Sequence, residues 1–168
     1  MIDAGSAPPS YAGLATRTLA FAIDAAVINV VAWFVGAVFA LALSLLSLPK
    51  EVLTVLTAVA AFVALLWTFS YFVFFWSGNG QTPGDRMMGI TVRNATSLTP
   101  LTARRAALRL VLLPLSAIPL CAGFLMILFD GRRRALHDRL ARTVVIYVPV
   151  ERRRRPAARQ APEELAQV

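Results

Sequence analysis

Asp24 is the first residue of this sequence whose type and position suggest chemistry. It is the only charged residue among the thirty from Leu19 to Leu48. A carboxylate in so apolar a segment costs about 2.5–3.5 kcal/mol to insert at the centre of a bilayer, which makes it a functional position by default. Arg17 lies seven residues earlier, nearly two helical turns away and almost on the same face. The helical rise puts Asp24 only about 10 Å deeper than an arginine that can snorkel to the headgroups. Two readings follow. One is a structural ion pair or hydrogen-bond network near the cytoplasmic edge, drawing in Arg104, Arg105 or Arg109. The other is a carboxylate that binds a proton or a cation.

The second group of chemically capable residues runs from Asp130 to Arg142 and holds Asp130, His137 and Asp138. His137 and Asp138 are neighbours in sequence, so on a helix they point in different directions and do not form a catalytic dyad. One His and one Cys cannot supply the three or four ligands of a metal site. No Ser-His-Asp set, phosphate-binding glycine loop or pair of carboxylates is present. The chain therefore reads as non-enzymatic, without metal or cofactor. Cys121 lies alone in an apolar run and reads as a small buried hydrophobe.

The elements that must position these residues are membrane elements. Of 168 residues 58% are hydrophobic and 15% charged, and the mean hydropathy is +0.66. A soluble domain is about 45–50% apolar and ~25% charged. Three apolar segments account for the excess, at 19–48, 52–76 and 106–129. A bilayer core needs about 20 helical residues, so the first two runs can each span it, with Pro49, Lys50 and Glu51 as the turn between them. The first is too long for the apolar part of a cleaved signal peptide and carries an Asp. Residues 1–10 read as a mobile lead-in and 149–168 as a basic disordered tail.

Sixteen of the seventeen basic residues are arginine, and the net charge is +8. No aromatic-and-basic module accompanies them, so nucleic acid is not an expected partner. Their distribution instead assigns sides: the connection after residue 76 is basic and the one near Pro49 is not, which puts the N-terminus in the cytoplasm. The basic segments would then meet anionic headgroups. Three full spans would leave the most basic part of the chain outside. Pro114 and Pro119 offer a way out, either as the bend of a re-entrant hairpin or as a kink in a full span. A hairpin would let two β-like stretches, near Ile90 and near Val145, pair with each other.

Two further patterns concern packing. Ala32, Gly36, Ala40 and Ser44 recur every four residues, a stripe of small side chains suited to close helix approach, with the second run as the expected partner. Trp67, Phe69, Tyr71, Phe72, Phe74, Phe75 and Trp76 read as an interfacial aromatic belt.

Taken in order, Arg17 and Asp24, then Gly80-Gln81-Thr82-Pro83-Gly84, then Leu136-His137-Asp138-Arg139-Leu140-Ala141 resemble the RDD family of bacterial membrane proteins. The resemblance covers Tyr11 to Val148. It implies that Arg17 and Asp24 are the family's arginine and first aspartate, and that Asp138, ahead of Asp130, is the second. Asp85 departs from the pattern, where the family usually has Lys. The expected fold is an all-α membrane protein with two transmembrane helices, a third Pro-broken membrane segment and a small cytoplasmic β pairing. The expected setting is the bacterial cytoplasmic (inner) membrane, multi-pass. The expected function is that of an accessory or assembly subunit of a membrane complex. The alternative is an ion or solute transporter, of cation–proton exchange type, acting as a homo-oligomer with Asp24 titrating.

Overall fold

The structure is a computed structural model that describes residues 9–117 and 122–148. Residues 1–8 of the lead-in, the tail from residue 149, Pro119 and Cys121 lie outside the described residues. Two long helices come first, α1 (Leu14–Ser44) and α2 (Lys50–Gly78). Both are long and apolar enough to cross a bilayer. A short helix α3 (Pro83–Met87), strand β1 (Ile90–Asn94), helices α4 (Ala103–Ala117), α5 (Ala122–Phe129) and α6 (Leu136–Ala141), and strand β2 (Thr143–Tyr147) complete the chain.

Pro49 sits at the cap of α2, so Lys50 and Glu51 belong to that helix and not to the turn. Proline has no N–H to offer an incoming helix yet suits the position before a new one, and a carboxylate in the first turn faces the positive end of the helix dipole. At the other end α1 begins at Leu14, so Arg17 is a helical residue in the first turn after Gly13.

β1 and β2 pair antiparallel with Val92 opposite Val145, the two β-like stretches expected to meet. Tyr11 bridges to Ile146, and the Ala12 N–H donates to the Val145 carbonyl at 3.0 Å, so the approach to α1 lies along β2. Two strands alone are marginal. Here they are held by a core of Ala12, Ala20, Phe72, Trp76, Ile90, Val92, Leu101, Ala106 and Val145.

The third apolar run is two helices, not one. A Cβ placed on Gly123 would lie 2.6 Å from the Ser116 Cα. Seven residues of continuous helix would hold those positions about 10 Å apart, so α5 folds back against α4. Pro114 does not break the chain, because α4 continues through it to Ala117. The strand before α4 pairs with the strand after α6, so both ends of the run return to the same place.

Two packing expectations need correction. The stripe of Ala32, Gly36, Ala40 and Ser44 does not meet α2: all four residues are exposed, and a Cβ on Gly36 would find nothing within 4 Å. α1 and α2 touch chiefly where the start of one meets the end of the other, through a stack of Phe21 on Phe72 with centroids 5.7 Å apart. The aromatic cluster is likewise divided. Trp67, Phe69 and Phe74 are exposed as a belt requires, whereas Phe72 and Trp76 are buried in the core. Phe72 and Trp76 are four apart on one helix face, at the end of α2 that packs into this core.

Candidate functional site

Asp24 sits on α1 facing the loop that follows α2, and it is 2% exposed. Its carboxylate accepts three hydrogen bonds. Oδ1 takes the Tyr71 hydroxyl at 2.9 Å and the Gly84 N–H at 2.8 Å, and Oδ2 takes the Thr82 hydroxyl at 2.5 Å. Such bonds offset the cost of burying a carboxylate. Among the described residues no cation pairs with it.

The loop motif is built to make these bonds. Gly80 adopts a positive φ of 73°, and a Cβ there would lie 2.6 Å from the Val92 carbonyl oxygen. The Gly80 carbonyl accepts from the Val92 N–H and the Thr91 hydroxyl, which ties the loop to β1. The Gln81 amide donates to the Ile90 carbonyl at 2.7 Å. Thr82 caps α3, its hydroxyl accepting from the Asp85 N–H while donating to Asp24, and Pro83 occupies the first turn, where no N–H is needed. Gly84 lies against α1 so closely that a Cβ would come within 2.1 Å of the Ala20 carbonyl oxygen and 2.9 Å of the Asp24 Cγ.

Asp85 completes the cap. Its Oδ2 accepts from the Thr82 N–H and from the Trp76 indole N–H, each at 3.2 Å. Burial pushes its pKa up, against the bonds from Thr82 and Trp76 and the field of Arg109. The departure from the family pattern thus has a local role, holding loop and α2 together.

A second centre surrounds Asp138, which is fully buried. Arg17 Nη1 donates to Oδ2, and Arg109 Nη1 lies 2.7 Å from Oδ1. The Thr143 hydroxyl donates to Oδ1 at 3.0 Å and the Ala135 N–H to Oδ2 at 3.2 Å. Burial by itself would raise this carboxyl, yet Arg109 and Arg17 together hold it well below the usual carboxylate range. Arg17 also donates from Nε to the Ala12 carbonyl at 3.1 Å and from Nη2 to the Arg133 carbonyl at 2.6 Å. One side chain therefore joins the start of α1, the loop before α6 and Asp138.

His137 also faces α4, with its Nε2 3.7 Å from Asp138 Oδ1. Its Nδ1 is 2.8 Å from the Ser116 hydroxyl, which also accepts the His137 backbone N–H at 3.1 Å. Burial, with Arg109 and Arg17 nearby, lowers its pKa to about 4 against the attraction of Asp138, so the ring is neutral at pH 7. Asp130 organises the basic loop, accepting from the Arg134 N–H, from the Arg134 guanidinium at 3.1 and 3.2 Å and from Arg139 at 2.5 Å. Hydrogen bonds from Arg134 and Arg139 hold it well below the usual range against partial burial.

The pairing of Arg17 with Asp24 suggested by helix spacing is therefore not made. Arg17 goes to Asp138, and Arg109, not Arg104 or Arg105, joins it there. Tyr71, Ser116, Thr143 and Trp76 complete the two centres and were not singled out as bonding partners by the sequence. Tyr71 had one signal, a hydroxyl-bearing ring in an otherwise Phe-rich stretch. Between the centres lies a cavity of about 380 Å³ lined by Arg17, Asp24, Asp85, Arg109 and His137 among apolar side chains.

The model of the RDD family matches residues 11–142, which include Arg17, the loop motif and Asp138. Over 77 residues the chain is 35% identical to an uncharacterized protein of Rickettsia prowazekii (strain Madrid E), an alignment covering 46% of this chain and 42% of that protein. The chain thus spans less than half the length of the curated relative it matches. No solved structure matches it.

Proposed function

From the premise that the chain belongs to the RDD family, a membrane protein with two candidate spans, we propose that it is a non-catalytic accessory or assembly subunit of a larger complex in the bacterial cytoplasmic membrane. The observation that carries this reading is the bareness of the spans. None of the most apolar 18-residue stretch of either α1 or α2 is buried within the chain. Lipid supplies no hydrophobic drive between helices, so close association relies on small residues and polar contacts. The exposed face bearing Ala32, Gly36, Ala40 and Ser44 suits a neighbouring helix. Arg17, Arg109 and Asp138, by contrast, are spent on holding the head of the molecule together. In this reading the N-terminus is cytoplasmic, and α4 and α5 form a re-entrant hairpin that a partner covers.

A second reading is favoured by Asp24 itself. It lines a cavity and has no paired cation among the described residues, which suits the carboxylate of a cation–proton exchanger that encloses its path as a homo-oligomer.

One experiment separates the two. The tagged protein, at its native expression level, is extracted in mild detergent and the mass and composition of the co-purifying material are determined. A stoichiometric complex with foreign membrane proteins is expected. A pure homo-oligomer would sink the accessory reading, and liposome flux that Asp24→Asn abolishes would then support transport.

A further inference from the structure

The cavity between the two centres has a polar floor and an apolar mouth. The floor is built on Trp76, whose indole N–H donates to Asp85 Oδ2 at 3.2 Å while its ring carries the Arg109 guanidinium 4.7 Å from the centroid. Both charged groups keep unused bonding capacity. Asp85 Oδ2 takes the N–H groups of Trp76 and Thr82, which leaves Oδ1 with no donor among the described residues. Arg109 gives Nη1 to Asp138 and Thr143. Its Nε is buried without an acceptor, and Nη2 has none among the described residues. Asp85 and Arg109 do not pair with each other there.

The cavity wall presents both signs of charge, guanidiniums from Arg17 and Arg109, each bonded to Asp138 behind it, and carboxylates from Asp24 and Asp85. An isolated anion would meet the two carboxylates, and an isolated cation the two guanidiniums. A zwitterion meets one of each. A volume of about 380 Å³ falls within the ~300–1,000 Å³ typical of small-molecule sites. Thr18 and Phe21 of α1 and Leu125 of α5 also line the cavity, and Phe21 and Leu125 are 44% and 45% exposed. The opening therefore lies on the apolar flank of α1, where acyl chains would be.

We propose that this cavity binds the headgroup of a zwitterionic aminophospholipid. A phosphate oxygen accepts from the Arg109 guanidinium and the primary ammonium donates to Asp85, while the acyl chains leave between Phe21 and Leu125. A quaternary ammonium has no N–H for Asp85, and an anionic headgroup has no cation for it. The site therefore selects phosphatidylethanolamine over phosphatidylcholine and phosphatidylglycerol.

Trp76 is a built-in reporter. In the full chain carrying Trp33→Phe and Trp67→Phe, both at exposed positions, it is the sole indole. That protein is reconstituted in phosphatidylcholine vesicles and titrated with phosphatidylethanolamine brominated on its acyl chains. Saturable quenching of Trp76 at low mole fraction is expected, with weak, non-saturating quenching by the brominated choline and glycerol lipids. Asp85→Asn, which keeps an oxygen for Trp76, is expected to weaken the apparent affinity about tenfold or more, as befits loss of a charged hydrogen bond. Thr18→Phe, at the mouth and away from the core, is expected to abolish the saturable component with the fold intact. Equal quenching by all three lipids, or unchanged titrations in both variants, would overturn the proposal. Competition by free phosphoethanolamine as strong as by unbrominated phosphatidylethanolamine would overturn the assignment to a lipid.

Discussion

Arg17 and Asp138 stand 121 positions apart and meet in a buried ion pair, the Arg17 Nη1 donating to Asp138 Oδ2. Arg109 approaches the other oxygen, so one carboxylate holds two guanidiniums drawn from α1 and α4. Such a group has little value as a titrating site and much as a clasp. It fixes the start of the first span to the segment that closes the fold.

Removing Asp138 should therefore cost more than removing either arginine's reach. Asp138→Ala leaves two buried guanidiniums uncompensated, and breaking a buried pair in this way costs about 3–5 kcal/mol. Asp138→Asn keeps a hydrogen-bonding oxygen and should fall between Ala and wild type. Arg17→Lys should also destabilise, because an ammonium cannot serve the Ala12 carbonyl, the Arg133 carbonyl and Asp138 with the planar fork that Arg17 uses. Thermal unfolding in detergent checks the order. A stable Asp138→Ala protein would show that the clasp contributes little.

The loop around Asp24 gives a sharper steric prediction. Gly84→Ala would press a methyl group to within 2.1 Å of a backbone oxygen of α1, where a rigid helix cannot give way cheaply. Overpacking of this kind costs about 1–3 kcal/mol or more, and α3 should detach from α1. Thr82→Ser, which keeps the hydroxyl on Asp24, should be nearly neutral, whereas Thr82→Val should cost about 1–3 kcal/mol by stripping a donor from a buried carboxylate. Denaturant unfolding of the three variants is the check. Equal stability of Thr82→Ser and Thr82→Val would refute the assigned bond.

His137 sets a pH window. Its pKa is about 4 in the folded chain and near 6.5 when exposed. Between those values the unfolded chain binds a proton that the folded chain does not, so stability rises with pH across the window and is lost as pH falls through it. The loss amounts to about 3 kcal/mol at most. Asp138, held low, adds a further loss only below the ordinary carboxylate pKa, which separates the two effects. His137→Gln should flatten the stability profile between about pH 6.5 and 4. An unchanged slope in that variant would assign the acid sensitivity elsewhere.

The two spans and the β pairing were legible because they rest on local signals, a run of apolar residues and a short β-branched stretch. The loop motif was visible as a pattern, but its target was not. Nothing in the spacing of Gly80 to Gly84 says that Thr82 and Gly84 will bond Asp24, which lies 58 and 60 positions away. The misreading of Arg17 has the same origin. Helical periodicity speaks only for neighbours within a few turns, and on that scale Asp24 was the one acid available. Arg17 lies in the first turns of α1, where its side chain can reach the loop before α6 and the buried Asp138 instead. Trp76 and Phe72 read as part of an interfacial belt because composition alone cannot distinguish a membrane-facing aromatic from one under a loop.

Gly36 offers a test of what the bare spans are for. A Cβ at this position would touch nothing within 4 Å, so a larger side chain creates no clash inside the chain and loses no contact. Gly36→Leu also replaces a poor helix former by a good one, which removes about 0.5–1 kcal/mol of helix penalty. On the protein alone the substitution should be neutral or slightly stabilising, as read by thermal unfolding in detergent. Against a neighbouring helix the outcome reverses, because small residues allow backbones to approach and a leucine holds them apart. Co-purification of partner membrane proteins should then fall several-fold while the amount of folded protein stays constant. Ala32→Leu and Ala40→Leu, on the same face, should act in the same direction, and Leu41→Phe, an exposed substitution off the stripe, should not. If Gly36→Leu and Leu41→Phe reduce association equally, the stripe has no special role in assembly. If neither reduces it, the partners dock elsewhere on the molecule.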